Sequence, residues 1–136
     1  MPDGYSGTPL GKKLGIRSGA FVLIVNAPDY YFDLFPDWPE GVIIEKNPKP
    51  ESLDFIHLFC PDLETLALEY STLKSYLKKD AMMWISWPKK SSGIKTDISE
   101  YQVRDYALSN GLVDVKKAAI DKTWSGLKLV YRVKDR

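Results

Sequence analysis

A single cysteine, Cys60, stands in a chain of 136 residues, so no disulfide can close within it and no thiolate cage for a metal can be assembled. A single histidine, His57, likewise removes every histidine-pair zinc motif. The longest apolar run, around Ala20 to Val25, is far short of the roughly 20 residues that a spanning helix needs. The N-terminus lacks the basic-then-apolar layout of a secretion signal. These absences make the cytoplasm the expected location and exclude a membrane as partner. An excess of one charge is missing too. Nineteen basic against eighteen acidic side chains leave +1, whereas a general nucleic-acid clamp carries a clear basic surplus. Nucleic acid is therefore a disfavoured partner, although a local basic patch survives that sum. What is present is ordinary for a globular chain, 44% apolar and 27% charged. The length suits one α/β domain over residues 1–136, opened by a glycine-rich arm over 1–19.

That arm holds five glycines and two prolines in its first twenty residues, and only Leu10 to Leu14 suggests a helical turn. FVLIVNAP is an apolar run closed by a turn signal, the pattern of a strand buried on both faces. DYYFDLF reads as a short helix with Asp29 as cap and Pro36 as its stop. GVIIE reads as a short strand over Val42–Glu45, and LDFIHLFC as a second buried strand. Asp62 then opens a helix extending to Lys79, with Lys78 and Lys79 suited to its C-terminal dipole. AMMWISW is a third buried strand. A helix from Ser99 to Ser109 is closed by Asn110 and Gly111. LVDVKKAAI and LKLVYRV end the chain as two strands joined through DKTWSG.

Strands alternating with helices predict an open α/β sheet, mostly parallel, with helices on both faces and an antiparallel C-terminal hairpin. The short link from Glu45 to Leu53 is the misfit. Either GVIIE runs antiparallel, or an extended linker crosses back without a helix.

YSGTPLGKKLGI, WPKKSSGIKTD, GLVDVK and TWSGLKLV resemble the motifs of a small prokaryotic family of unknown function, numbered 3052. That family brings no activity to carry over. The strand series resembles the Rossmann-type sheet of class I S-adenosylmethionine-dependent methyltransferases, one strand short. The resemblance implies a glycine-rich turn after the first strand and a ribose-binding acid after the second. Here the first strand is followed by NAPDYY, without glycine, and Glu45 falls near the second place.

In open α/β sheets, ligands sit beyond the carboxyl ends of the strands. Asn26–Asp29, Cys60–Asp62, Trp87–Thr96 and Asp121–Ser125 should share that edge. In WPKKSSGIKTDISE, Lys89 and Lys90 supply charge and Ser91 and Ser92 supply hydroxyl donors before a helix N-terminus. The order is not that of a phosphate-binding P-loop. Asp97 and Glu100 have the spacing of a capping box, which would satisfy that N-terminus internally. His57 reads as a core histidine, and Cys60 as a buried thiol rather than a nucleophile.

The leading expectation is a non-catalytic binding module for a small anionic ligand or an anionic protein surface. Lys89, Lys90, Ser91 and Ser92 would make the contacts, with Asn26 and Trp124 bordering the crevice. No catalytic residue, cofactor or metal is assigned. Two alternatives stand beside it. One is a methyltransferase using S-adenosylmethionine through an atypical site. The other is an interaction protein that dimerises through the aromatic segment DYYFDLFPDW.

Overall fold

The computed structural model describes residues 7–136, so Tyr5 and Ser6 of the first motif lie outside the described residues. The apolar runs become strands β1 (Phe21–Val25), β2 (Ile43–Ile44), β3 (Leu53–Phe59), β4 (Leu77–Pro88), β5 (Leu112–Ala119) and β6 (Trp124–Tyr131). They form one sheet in the order β2-β1-β3-β4-β6-β5. β1 lies parallel between β2 and β3, and β4 lies parallel on β3. Only β6 is reversed, antiparallel to both β4 and β5. This is the methyltransferase-like Rossmann α/β fold, with six strands among the described residues.

The short link between β2 and β3 has a simple geometry. β2 pairs only with Phe21 and Val22, the first residues of β1. It therefore ends close to the level at which β3 begins, and the chain need not travel back along a strand. β2 runs parallel, and residues 45–52 cross without a helix.

Helices α2 (Leu63–Tyr76) and α3 (Glu100–Ser109) cover one face, where Leu66, Tyr70, Leu73, Val103 and Ala107 bury against Ile56, Leu58, Met83 and Ile85. The opposite face is covered by the short helix α1 (Leu10–Leu14) and a 3-10 turn at Tyr31–Leu34. Leu14, Tyr31 and Phe35 pack there on Phe55, Phe59 and Trp84. The indole Nε1 of Trp84 donates to the carbonyl of Leu14 at 2.9 Å and fixes α1 to the sheet. No helix among the described residues is long and apolar enough to cross a membrane.

Three local expectations are corrected. α2 stops at Tyr76, because Leu77 turns into β4 and buries completely beside Leu53. Lys78 and Lys79 consequently leave the helix end and reach Asp54 and Glu51 at 2.8 and 3.5 Å. Asp29 caps nothing, since the turn that follows is 3-10 with no side-chain cap. The Asp97–Glu100 box does not form. Asp97 instead accepts from the Leu63 N–H of α2 at 2.9 Å, and Glu100 is held by Arg104 and Lys117.

Candidate functional site at the carboxyl edge

Strand order reverses between β1 and β3, since β2 lies on one side of β1 and the next strand in sequence on the other. In such a sheet the crevice opens at the carboxyl ends of those two strands. Asn26 follows β1 directly and takes φ +59°, in the left-handed region. Asparagine tolerates that conformation better than other side-chain-bearing residues because its short amide can bond locally. The turn that the resemblance assigns to glycine is thus made by asparagine. Asn26 is exposed at the edge, as are Asp29 and Pro61.

Glu45 is elsewhere. Its N–H donates to the carbonyl of Val22 at 2.8 Å, three residues short of Val25, the end of β1. At about 3.3 Å per residue that is roughly 10 Å below the edge. It lines a cavity of about 330 Å³ with Phe21, Asn47 and Ser52 at the amino side of the sheet. Because β2 is only two residues long, its terminal acid never reaches the crevice.

The lysine loop borders a separate cleft of about 820 Å³ between residues 87–99 and the β5–β6 pair. Lys89, Lys90, Ser91, Lys95, Tyr101 and Lys117 line it. Of its two lining acids, Glu100 is engaged by Lys117 and Arg104, which hold its carboxyl below the usual range. Asp97 is bonded to α2. Ser92 is turned away from this cleft. Its hydroxyl donates to the Lys89 carbonyl at 2.6 Å and accepts from the Ile94 N–H at 3.2 Å, so it shapes the loop. Asn26 and Trp124 do not line the cleft either. Lys89, Lys90 and Ser91 are brought together, and the other three stand apart from them.

A contact with no sequence signal joins the two halves of the edge. Tyr30 donates its hydroxyl to Asp121 at 2.6 Å, across 91 residues. Burial, then the bond to Asp121, pushes the phenol up to about 12. Asp121 also accepts from the N–H groups of Thr123 and Trp124, both at 2.8 Å, and so closes the β5–β6 turn. Trp124 then meets Phe59 edge-on, with ring centroids 5.0 Å apart.

Beneath that layer lies His57, fully buried, between the Tyr31 hydroxyl at 2.9 Å and the Ser86 hydroxyl at 2.7 Å. Burial depresses its pKa to about 3, so the ring is neutral at physiological pH. Burial, with Asp62 and Glu69 nearby, pushes the Cys60 thiol up to about 12. Neither group is an exposed base or nucleophile. No group of three or more histidine, cysteine, aspartate or glutamate side chains among the described residues is arranged to hold a metal.

No family model matches this chain, and no curated protein matches it. Solved structures do. A SAM-dependent methyltransferase from Aquifex aeolicus superposes with a TM-score of 0.61 at 17% identity, covering 88% of this chain and 86% of its own. A Sulfolobus solfataricus protein assigned to the type 11 methyltransferases gives 0.66 at 18%, covering 91% and 90%. A didemethyltoxoflavin N1-methyltransferase from Burkholderia thailandensis, solved with S-adenosylhomocysteine, gives 0.55 at 12%, covering 90% and 74%. These likenesses establish the fold.

They also correct the expectation of a non-catalytic binding module, because these three solved structures, which share this fold, are methyltransferases. That expectation rested on polar loops gathered at one rim without a recognisable catalytic set, and the missing glycine after FVLIV weighed against a cofactor turn there. Asn26 supplies the left-handed turn itself, with its side chain still at the edge.

Proposed function

We propose that this chain is an S-adenosylmethionine-dependent methyltransferase with an atypical cofactor site. The observation that carries the reading is the left-handed turn at Asn26, placed where the strand order reverses. The residues present fit part of the cofactor and not all of it. The backbone after β1 and the exposed edge at Asp29 and Pro61 suit the approach of an adenosyl ligand. The acid at the end of β2 does not reach it, so the ribose would be held from β1 and β3 alone. The cofactor, when bound, supplies a methyl group on a positively charged sulfur.

Within this reading, Asn26 and Trp124 border the crevice, and Lys89, Lys90 and Ser91 hold an anionic group of the acceptor in the adjoining cleft. Ser92 holds the loop in shape. Membership of family 3052 belongs to the same proposal and is supported by WPKKSSG and TWSGLK, as do a single domain over 1–136 and a cytoplasmic location.

Equilibrium dialysis with labelled S-adenosylmethionine tests the assignment. One cofactor per chain is expected, retained by Asn26→Gly and lost by Asn26→Val, whose β-branched side chain resists positive φ. Absence of binding by the parent protein would overturn it.

A further inference from the structure

The net charge of +1 conceals a segregation of charge. Lys116 on β5 and Lys128 on β6 are direct cross-strand partners on the face that carries α1. Like charges placed opposite each other on one face of a sheet are destabilising. Lys116 also reaches over α1, where its Nζ donates to the Lys13 carbonyl at 2.9 Å. Lys13 reaches back, its Nζ donating to the Ala119 carbonyl at 2.9 Å. Burial, then Lys116 and Lys89, lowers the pKa of Lys13. Burial, then Lys116 and Arg17, lowers that of Lys128. Lys128, Lys116 and Lys13 therefore stand side by side, with Arg17 near Lys128 at one end and Lys89 near Lys13 at the other.

Arg17, Lys89, Lys116 and Lys128 make no ion pair among the described residues. Two acids that touch the elements of this face are already bonded. Asp37 accepts from the N–H groups of Gly11 and Lys12, and Asp121 from Tyr30, Thr123 and Trp124. Asp54 and Asp80 share a cavity with Arg17 at the amino end of the row, and Asp54 is paired with Lys78. At the other end, Lys89 sits beside the hairpin turn, its N–H donating to the Thr123 carbonyl at 2.8 Å. There the row meets the half-exposed rings of Tyr30 and Trp124 and the mouth of the lysine cleft.

We propose that this row binds the phosphate backbone of a single-stranded nucleic acid and leads it to the carboxyl edge of the sheet. A line of cations matches a backbone of repeating phosphates, and aromatic faces at its end suit an unstacked base. The like-charge pair is the expected cost of such a surface, relieved when the anion binds. This names a substrate class for the proposed methyltransferase. The binding itself needs no cofactor, so the two readings fail separately.

The test is fluorescence anisotropy of the full chain with a labelled single-stranded RNA of about 20 nucleotides, without S-adenosylmethionine. Binding should weaken between about 50 and 200 mM salt, with a log–log slope near −3 for four to five contacted phosphates, roughly −0.7 each. The pair Lys116→Gln and Lys128→Met should weaken binding about tenfold or more and lower that slope by about 1.4. Lys49→Gln with Lys79→Gln, in the link between β2 and β3 and at the start of β4, should change neither. The double variant of the row should melt no lower than the parent, because a repulsion is removed. If it does melt lower, the single exposed change Lys116→Gln carries the comparison. No binding at low salt, a slope near zero, or equal affinity of parent and row variants overturns the inference.

Discussion

The imidazole of His57 and the hydroxyl of Ser86 lie 2.7 Å apart, joining β3 to β4 in the middle of the sheet where no water reaches. With the Tyr31 hydroxyl on the other nitrogen, both ring positions are occupied by protein groups. The arrangement resembles a catalytic pair only in its distance. Fully buried, it acts as a polar pin that holds the 3-10 turn at Tyr31–Leu34 onto the sheet and thereby sets the loop after β1.

This pin makes stability depend on pH in a defined direction. The folded protein keeps His57 neutral down to about pH 3, whereas the unfolded chain takes up the proton near 6.5. Below pH 6.5 the unfolded state therefore binds more protons, and stability falls as pH falls towards 3. The slope from this one group is at most about 1.4 kcal/mol per pH unit. Urea unfolding followed between pH 7.5 and 4.5 should show it, and His57→Gln should flatten it. A parent curve as flat as that of the variant would exclude the role.

The same layer explains the glycine of TWSG. A Cβ on Gly126 would stand 3.1 Å from Ile120 Cδ1, Ser86 Oγ and Trp84 Cε3 together. Two of these belong to fully buried residues of β4, where little movement is available. Gly126→Ala should destabilise the protein by about 1–3 kcal/mol through overpacking. Chemical denaturation measures it directly, and a neutral substitution would show that the layer yields.

Much of the scaffold was legible because local signals agreed with the fold. Leu10–Leu14, Leu53–Phe59 and Glu100–Ser109 appear where apolar spacing and end residues place them. Cys60 and His57 are buried, as their positions in an apolar strand implied. The errors arose where a tertiary partner outbid a local one. Lys78 looked like a helix terminus in sequence but pairs with Asp54, because burying Leu77 ends the helix early. Asp97 looked like a cap for α3 but serves α2.

At the carboxyl edge, Lys89, Lys90 and Ser91 could be grouped from sequence, since they are contiguous in one loop. Ser92 could not be separated from them, because its inward bond depends on the loop's path. The Tyr30–Asp121 contact spans 91 residues and has no local signature. The left-handed turn at Asn26 had one available signal, an asparagine placed immediately after a buried apolar run.

The central claim is that an adenosyl ligand binds at the carboxyl edge between β1 and β3. Titration of isotopically labelled protein with S-adenosylhomocysteine, followed by amide chemical shifts, tests it most directly. The account predicts saturable shifts concentrated at Asn26, Ala27, Asp29, Cys60 and Asp62, with the amides around Glu45 unmoved. Absence of saturable shifts, or shifts gathered instead around Glu45 and Asn47 at the amino side, would contradict it.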